Sequence, residues 1–242
     1  GRHKPGKQHT DEQATAYLED VLVRQRTLGG RGSFASGKLG RTLFLLGTVY
    51  RERGDWERAL VLHQESAALH SALRDREGLA IGLLVQSDMA RDQGDSEQAR
   101  IYGEASLIQL RQLGMQWATG YALNNLALAA YHAGDLAAAG TMIEESVALL
   151  RSQDAVGGLA EVLVSQGQIL QAQGNDAAAY GALMEAVRLA WGMGPRVMLA
   201  AALEALGCLA APGQPQAHVS AAAADLAVRL IAAATALRVT EP

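Results

Sequence analysis

The sequence predicts an all-α solenoid of antiparallel helical hairpins, and three recurring observations predict it. Gly-Asp pairs stand at Gly54-Asp55, Gly94-Asp95 and Gly134-Asp135 and return as Gly174-Asn175, a period of 40 residues (94−54 = 134−94 = 174−134). An alanine follows each glycine by five positions, at Ala59, Ala99, Ala139 and Ala179, and a small residue precedes it by seven, at Gly47, Ser87, Ala127 and Gly167. Between the turns the apolar residues keep a helical period, as in Leu43, Phe44, Leu46, Gly47 and Tyr50 before the first pair and Ala59, Leu60, Leu62, Ala67 and Leu69 after it. Self-similarity at a fixed period of this length marks stacked helical units, each burying its apolar face against its neighbours. A content of 49% hydrophobic and only 5% aromatic residues, rich in alanine, suits closely packed helices better than a β-sandwich.

The elements follow in order from the turn chemistry. Glycine can take the left-handed conformation that ends one helix, and the next Asp can accept backbone N–H bonds and cap the following one. Looser signals at Leu73 to Gly78, Leu113 to Met115 and Arg151 to Asp154 join one hairpin to the next. Helices are therefore expected at 11–28, 38–53, 55–73, 77–93, 95–113, 116–133, 135–152, 155–173, 175–192, 196–210 and 217–238. These group into hairpins at about 38–75, 76–115, 116–154 and 155–194, flanked by a partial unit at 11–37 and a divergent terminal unit at 195–238. Ala14 stands 14 residues before Leu28, as Ala59 stands before Leu73, so the first helix reads as the second half of a hairpin. Residues 1–10, with Arg2, Lys4 and Lys7, are expected to form a disordered basic tail. The chain opens on Gly1 instead of Met, from which an excised fragment is expected.

Leu46-Gly47, Tyr50, Gly54 and Ala59 stand at the offsets of the tetratricopeptide consensus, and the chain resembles a tetratricopeptide-repeat array of the long variety. The resemblance implies a right-handed superhelix whose concave side, formed mainly by first helices, receives a protein or peptide. Arg74 to Ala80, Ala122 to Ala127 and Ala202 to Gly207 are similar to stretches in the sensor solenoids of bacterial STAND and LuxR-type multidomain transcriptional regulators. That likeness implies a signal-sensing arm of a larger bacterial protein.

Composition excludes several other functions. A net charge of −4 offers no field for nucleic acid, and no direct nucleic-acid contact is expected. The single Cys208 precludes an internal disulfide and reads as a small buried residue. The apolar stretch from Leu226 to Leu237 is interrupted by Arg229 and too short to span a bilayer; with no leader pattern, a cytoplasmic protein is expected. Gly32 to Lys38 fits the first seven positions of a P-loop, but Leu39 replaces the Mg²⁺-binding Ser/Thr and no strand precedes it. It reads as a flexible connection, about five residues longer than its counterparts. His63 and His70 share a helix face without a third ligand and are expected at a packed or solvated edge. No convergent acid, base or nucleophile stands out, so neither an enzyme nor a cofactor or metal site is expected.

The resemblance indexes the concave positions repeat by repeat. They are Arg41, Thr48, Arg51 and Glu52; Asp88, Arg91 and Asp92; Asn124, Asn125, Tyr131 and His132; Glu161, Gln168 and Gln171; and Glu204. Ligand contact is expected chiefly from Arg51, Arg91, Asn124, Asn125, Tyr131, His132 and Gln168. The adjacent amides could bond an extended peptide backbone, and Arg51 and Arg91, 40 residues apart, could receive a carboxylate. Trp56, Trp117 and Trp191 read as packing pieces at unit junctions. Two alternatives remain open: a small-molecule inducer in a pocket at Asn124, Asn125, Tyr131 and Gln168, as in the maltose-regulon activator family, or a spacer that forms a homodimer through its end helices.

Overall fold

The computed structural model describes residues 7–27, 33–52, 55–193 and 196–210, together with isolated positions at 229, 232, 233 and 236. Its described helices are α1 (Lys7–Thr27), α2 (Ser33–Glu52), α3 (Trp56–Ala72), α4 (Arg76–Asp92), α5 (Ser96–Leu113), α6 (Gln116–His132), α7 (Leu136–Ser152), α8 (Val156–Ala172), α9 (Asp176–Met193) and α10 (Arg196–Ala210). No strand occurs among the described residues. Helices pack most extensively within the pairs α2/α3, α4/α5, α6/α7 and α8/α9, the antiparallel hairpins that the period requires.

The repeated dipeptide performs both of its expected tasks. Gly94, Gly134 and Gly174 take φ of 78°, 83° and 78°. The N–H of the next residue then reaches back to the carbonyls of Ala90, Ala130 and Leu170, each at 2.9 Å. This is the paired closure of a left-handed helix end. Asp55, Asp95 and Asp135 accept the backbone N–H of Arg58, Gln98 and Ala138 at 3.2, 3.0 and 3.0 Å, and Asn175 accepts that of Ala178 at 3.3 Å. The turns between hairpins are less uniform. Asp75 caps α4 through Gly78 at 3.1 Å, whereas Met115 and Ala155 precede α6 and α8 without a side-chain cap.

Two further ladders keep the 40-residue register. Ser66, Ser106 and Ser146 are buried, and their hydroxyls donate to the carbonyls of Gly40, Ala80 and Gly120 at 2.7, 2.9 and 2.6 Å, tying the two helices of each hairpin together. Consecutive second helices are joined on the outside by Arg111–Glu145 and Arg151–Glu185. Arg26–Glu65 joins α1 to α3 in the same manner. Its separation of 39 residues exceeds the 34 of the later pairs by 39−34 = 5, of which 20−17 = 3 extend α2 beyond the length of α4. The helix α1 is therefore a second-type helix.

Several expectations are corrected. Residues 7–10 of the expected tail are helical, and residues 1–6 lie outside the described residues, as does nearly all of the expected helix 217–238. Ser33 to Lys38 is the first part of α2, not a flexible connection, which also removes the loop that phosphate binding would need. Cys208 is exposed. His63 and His70 are core residues, only 3% and 9% exposed, in the register of Ile143 and Leu110/Leu150. His70 lies against Gly40 and Gly78, and its Nδ1 meets Asp75 Oδ2 at 2.7 Å; His63 packs on Gly47 and, edge to face, on Phe44. Trp191 is 78% exposed and so is no packing piece, Trp117 packs edge to face on Tyr121, and the side chain of Trp56 lies outside the described residues.

Candidate functional site

The first-type helices α4, α6, α8 and α10 pack on one another in sequence, forming a wall that carries the expected concave positions from Asp88 to Glu204. The center of that wall is a polar network between α4 and α6. Asn125, fully buried, donates from Nδ2 to Asp88 Oδ1 at 2.6 Å, and its Oδ1 accepts from Arg91 Nη1 at 2.6 Å. Arg91 also donates to Asp92 Oδ1 from Nε at 3.1 Å and Nη2 at 3.0 Å, and stands 3.6 Å from Asp88. A side-chain amide can donate and accept at once, so Asn125 satisfies a carboxylate and a guanidinium that would otherwise face each other imperfectly.

Electrostatics hold the Arg91 guanidinium in its charged form. Burial works against the Arg91 guanidinium, but the carboxylates of Asp88, Asp92 and Glu161 outweigh it and raise its pKa above the ordinary value. The Tyr121 hydroxyl is pushed up to about 12, first by burial and then by the negative charges of Glu161 and Asp88. Tyr121 also explains a glycine. A Cβ on Gly158 would lie 2.3 Å from the Tyr121 hydroxyl oxygen, so α8 can accept this tyrosine from α6 only where it carries no side chain.

The structure divides the expected contact residues. Arg91 and Asn125 are brought together, but into an internal network; Arg91 already has carboxylate partners, and Asn125 is turned between helices. Asn124 is 1% exposed, and its Oδ1 has no hydrogen-bond partner among the described residues. Neither amide lies open to a peptide backbone in this conformation. Tyr131 is half-buried and packs edge to face on exposed His132 at 5.2 Å between ring centers, at the end of α6; Gln168 is exposed on α8. Arg51 lies in α2, but its side chain is outside the described residues. Sequence reasoning missed the network as a unit: Asp88 and Arg91 share one turn of α4 and stand 37 and 34 positions before their α6 partner, Asn125. One helical turn plus nearly one full period is the signal that would have paired them.

Cavities lie elsewhere. One of about 830 Å³ is bounded by α1, α2 and α3 and includes Glu19, Tyr50 and Arg58; another of about 200 Å³ lies among α3, α4 and α5, beside Gln64, Gln86 and Tyr102. Neither contains Asn124, Asn125, Tyr131 or Gln168. Among the described residues no cluster of three His, Cys, Asp or Glu side chains could hold a metal ion, and no helix is long and apolar enough to cross a membrane.

Residues 38–112 match the family model described as Tetratricopeptide repeat. The crystal structure of BtubC (BKLC) from P. vanneervenii is similar over 95% of this chain and 91% of that one, with a TM-score of 0.67 and 17% identity. A putative kinesin light chain from Podosopora anserina with nearly identical TPR-like repeats is similar over 85% of this chain and 97% of that one, with a TM-score of 0.55 and 17% identity. A substituted form of that light chain gives 84%, 97%, 0.58 and 16% for the same measures. None of the curated proteins matches the sequence. The fold is thus a tetratricopeptide-like helical-repeat solenoid, with a recognizable repeat signature in its first two hairpins.

Proposed function

We propose that this solenoid is a noncatalytic recognition scaffold that receives an extended protein segment along the wall formed by its first-type helices. The observation that carries this reading is the prearranged Asp88–Arg91–Asn125 network, which fixes the charge pattern of the wall before any partner arrives. Preorganized polar groups bind with less loss of side-chain freedom than mobile ones. The partner's contacts are then with the accessible margin of the wall, where Tyr131, His132 and Gln168 stand, and the buried amides serve as support. In a larger bacterial regulator the solenoid would be the signal-sensing or docking arm; the support for that setting is the similarity of residues 74–80, 122–127 and 202–207 to such sensor solenoids.

Charge reversal at Arg91 is a poor test, because it would set a new carboxylate among Asp88, Asp92 and Glu161 and report on folding. Peptides selected from a random extended library, titrated against the wild type and the Tyr131→Ala/Gln168→Ala double variant, test the reading directly. Truncating contact residues is expected to weaken binding about fivefold or more, since interface anchors cost upward of about 1 kcal/mol. Undiminished affinity in a variant of unchanged thermal stability would refute the assignment.

A further inference from the structure

Helices α1 and α3 flank α2 and are bridged by Arg26–Glu65, and a crevice of about 830 Å³ runs between them. Leu22, Leu46 and Leu62 form a buried apolar floor. Val23 and Val61 line the same crevice, one from each side, yet stay 58% and 57% exposed. Two valines that share a crevice and remain more than half solvated leave apolar surface for an occupant to cover.

The rim identifies the occupant's charge. Among the described residues Glu19, Asp55, Glu57 and Glu65 line it with two cations, Arg26 and Arg58. Arg26 is paired with Glu65, and Arg58 with Asp55 at 3.4 Å, so both guanidiniums are matched. Glu19 accepts the hydroxyl of Tyr50, which leaves its charge in place, and Glu57 has no ion pair among the described residues. The described rim is therefore net negative around an apolar floor. The lining residues of α1, from Glu19 to Arg26, recur at helical spacing over about two turns, roughly 10 Å at 1.5 Å per residue.

We propose that this crevice docks an amphipathic helix of a partner protein, about two to three turns long, with an aliphatic ridge between Val23 and Val61 and flanking Lys or Arg toward Glu19 and Glu57. Helices enter such grooves through anchors at i, i+3, i+4 and i+7, and a cavity of this size is within the range that holds a well-buried ligand. The site lies between two second-type helices, with Leu46 and Tyr50 of α2 beneath, and contains none of Tyr131, His132 and Gln168.

The test uses the full chain and a labeled 14-residue peptide with leucines at those spacings and lysines on both flanks. Its controls are a scrambled peptide and one with glutamate for lysine. Saturable binding that shifts the methyl signals of Val23, Val61 and Leu62, weakens about tenfold or more for both control peptides, and weakens likewise in Val61→Asp is the expected result. Glu57→Lys, at an exposed position, supplies a readout that misfolding cannot imitate: it should weaken the lysine peptide and strengthen the glutamate peptide. Equal binding of the scrambled peptide, an unchanged preference in Glu57→Lys, or shifts confined to other methyls would overturn the proposal. So would concentration-dependent dimerization that moves the same methyls, which makes a second copy the occupant, or tighter binding of octylammonium than of the peptide, which makes it a small-amine site.

Discussion

Replacing Asn125 by leucine tests whether the network at the center of the inner wall is a real energetic unit. Leucine has nearly the branched shape of asparagine, and Val85 and Ser165, at the same position in the neighboring repeats, are 7% and 6% exposed, so the site accepts an uncharged, nonamide side chain. The substitution deletes two bonds of 2.6 Å, each to a charged group. Such bonds contribute about 1.5–3 kcal/mol each, or about 3–6 kcal/mol together. Burying leucine in place of an amide returns about 2 kcal/mol. Asp88 and Arg91, 19% and 16% exposed and 3.6 Å apart, can close part of the remainder by pairing directly. The net loss should therefore be about 2 kcal/mol, or about 4–8 °C in melting temperature for a chain of this size. Differential scanning calorimetry gives the total. Because solenoid units contact only their neighbors, hydrogen exchange should place the lost protection in α4 and α6 and leave α9 unchanged. A melting temperature within about 1 °C of the wild type, with unaltered exchange in α4 and α6, would refute the claim that Asn125 holds the wall together.

Two other perturbations probe the rest of the frame. Ser106→Ala and Ser146→Ala each remove a buried hydroxyl bond between the helices of one hairpin and should each lower stability by about 1 kcal/mol. Their effects should add in urea denaturation, since the two rungs share no partner; strong nonadditivity would show that they do not act independently. Burial raises the Asp75 carboxyl, but the Gly78 N–H and His70, which bind its charged form, outweigh burial and hold it below its ordinary value of 3.8. A depressed acid contributes stability that is present above its unfolded pKa and lost as pH falls through the folded one. The wild type should thus lose more urea resistance than Asp75→Asn between pH 7 and the region below about pH 4, and parallel losses would remove Asp75 from the acid response.

The hairpins and their boundaries were legible because local chemistry specifies them: one dipeptide ends a helix and caps the next, wherever the rest of the fold lies. The start of α2 was not, because the spacing of Gly32 and Gly37 resembles a loop, and a glycine inside a helix can serve another end. Gly40 is a contact requirement, since a Cβ there would stand 3.0 Å from the His70 ring while its carbonyl receives Ser66. The site was harder to read for a different reason. An asparagine on a first-type helix has the same spacing whether it faces a ligand or a neighboring helix, and only the positions of Asp88 and Arg91 relative to Asn125 decide between them. The serine ladder and the Arg–Glu ladder were visible as spacings of 40, yet each identifies a bond only once the facing helix is known.

The two ladders also show that the repeats are not energetically equivalent. In the register that gives Arg111–Glu145 and Arg151–Glu185, the junction between α3 and α5 presents Ser71 and Ala105, so the outer ion pair is absent there. Exposed pairs contribute about 0–1 kcal/mol each, and their loss alone would matter little. The core is divided at the same place. Leu43, Leu46 and Leu62 group with Val85 and Met89 of α4, while Ala80 and Leu84 of the same helix group with Leu110 and Ala118. From Ala127 to Leu206, by contrast, the buried residues form one continuous group across α6 to α10. The helix α4 thus presents one part of its length to the first hairpin and another to the third. Asn125 reaches back to α4 from the start of that continuous core, so the polar network connects the divided N-terminal half to the continuous C-terminal half. That placement gives a buried amide a structural purpose that an aliphatic residue such as Val85 could not serve, because an aliphatic contact would remove the bonds by which α6 holds both Asp88 and Arg91 of α4.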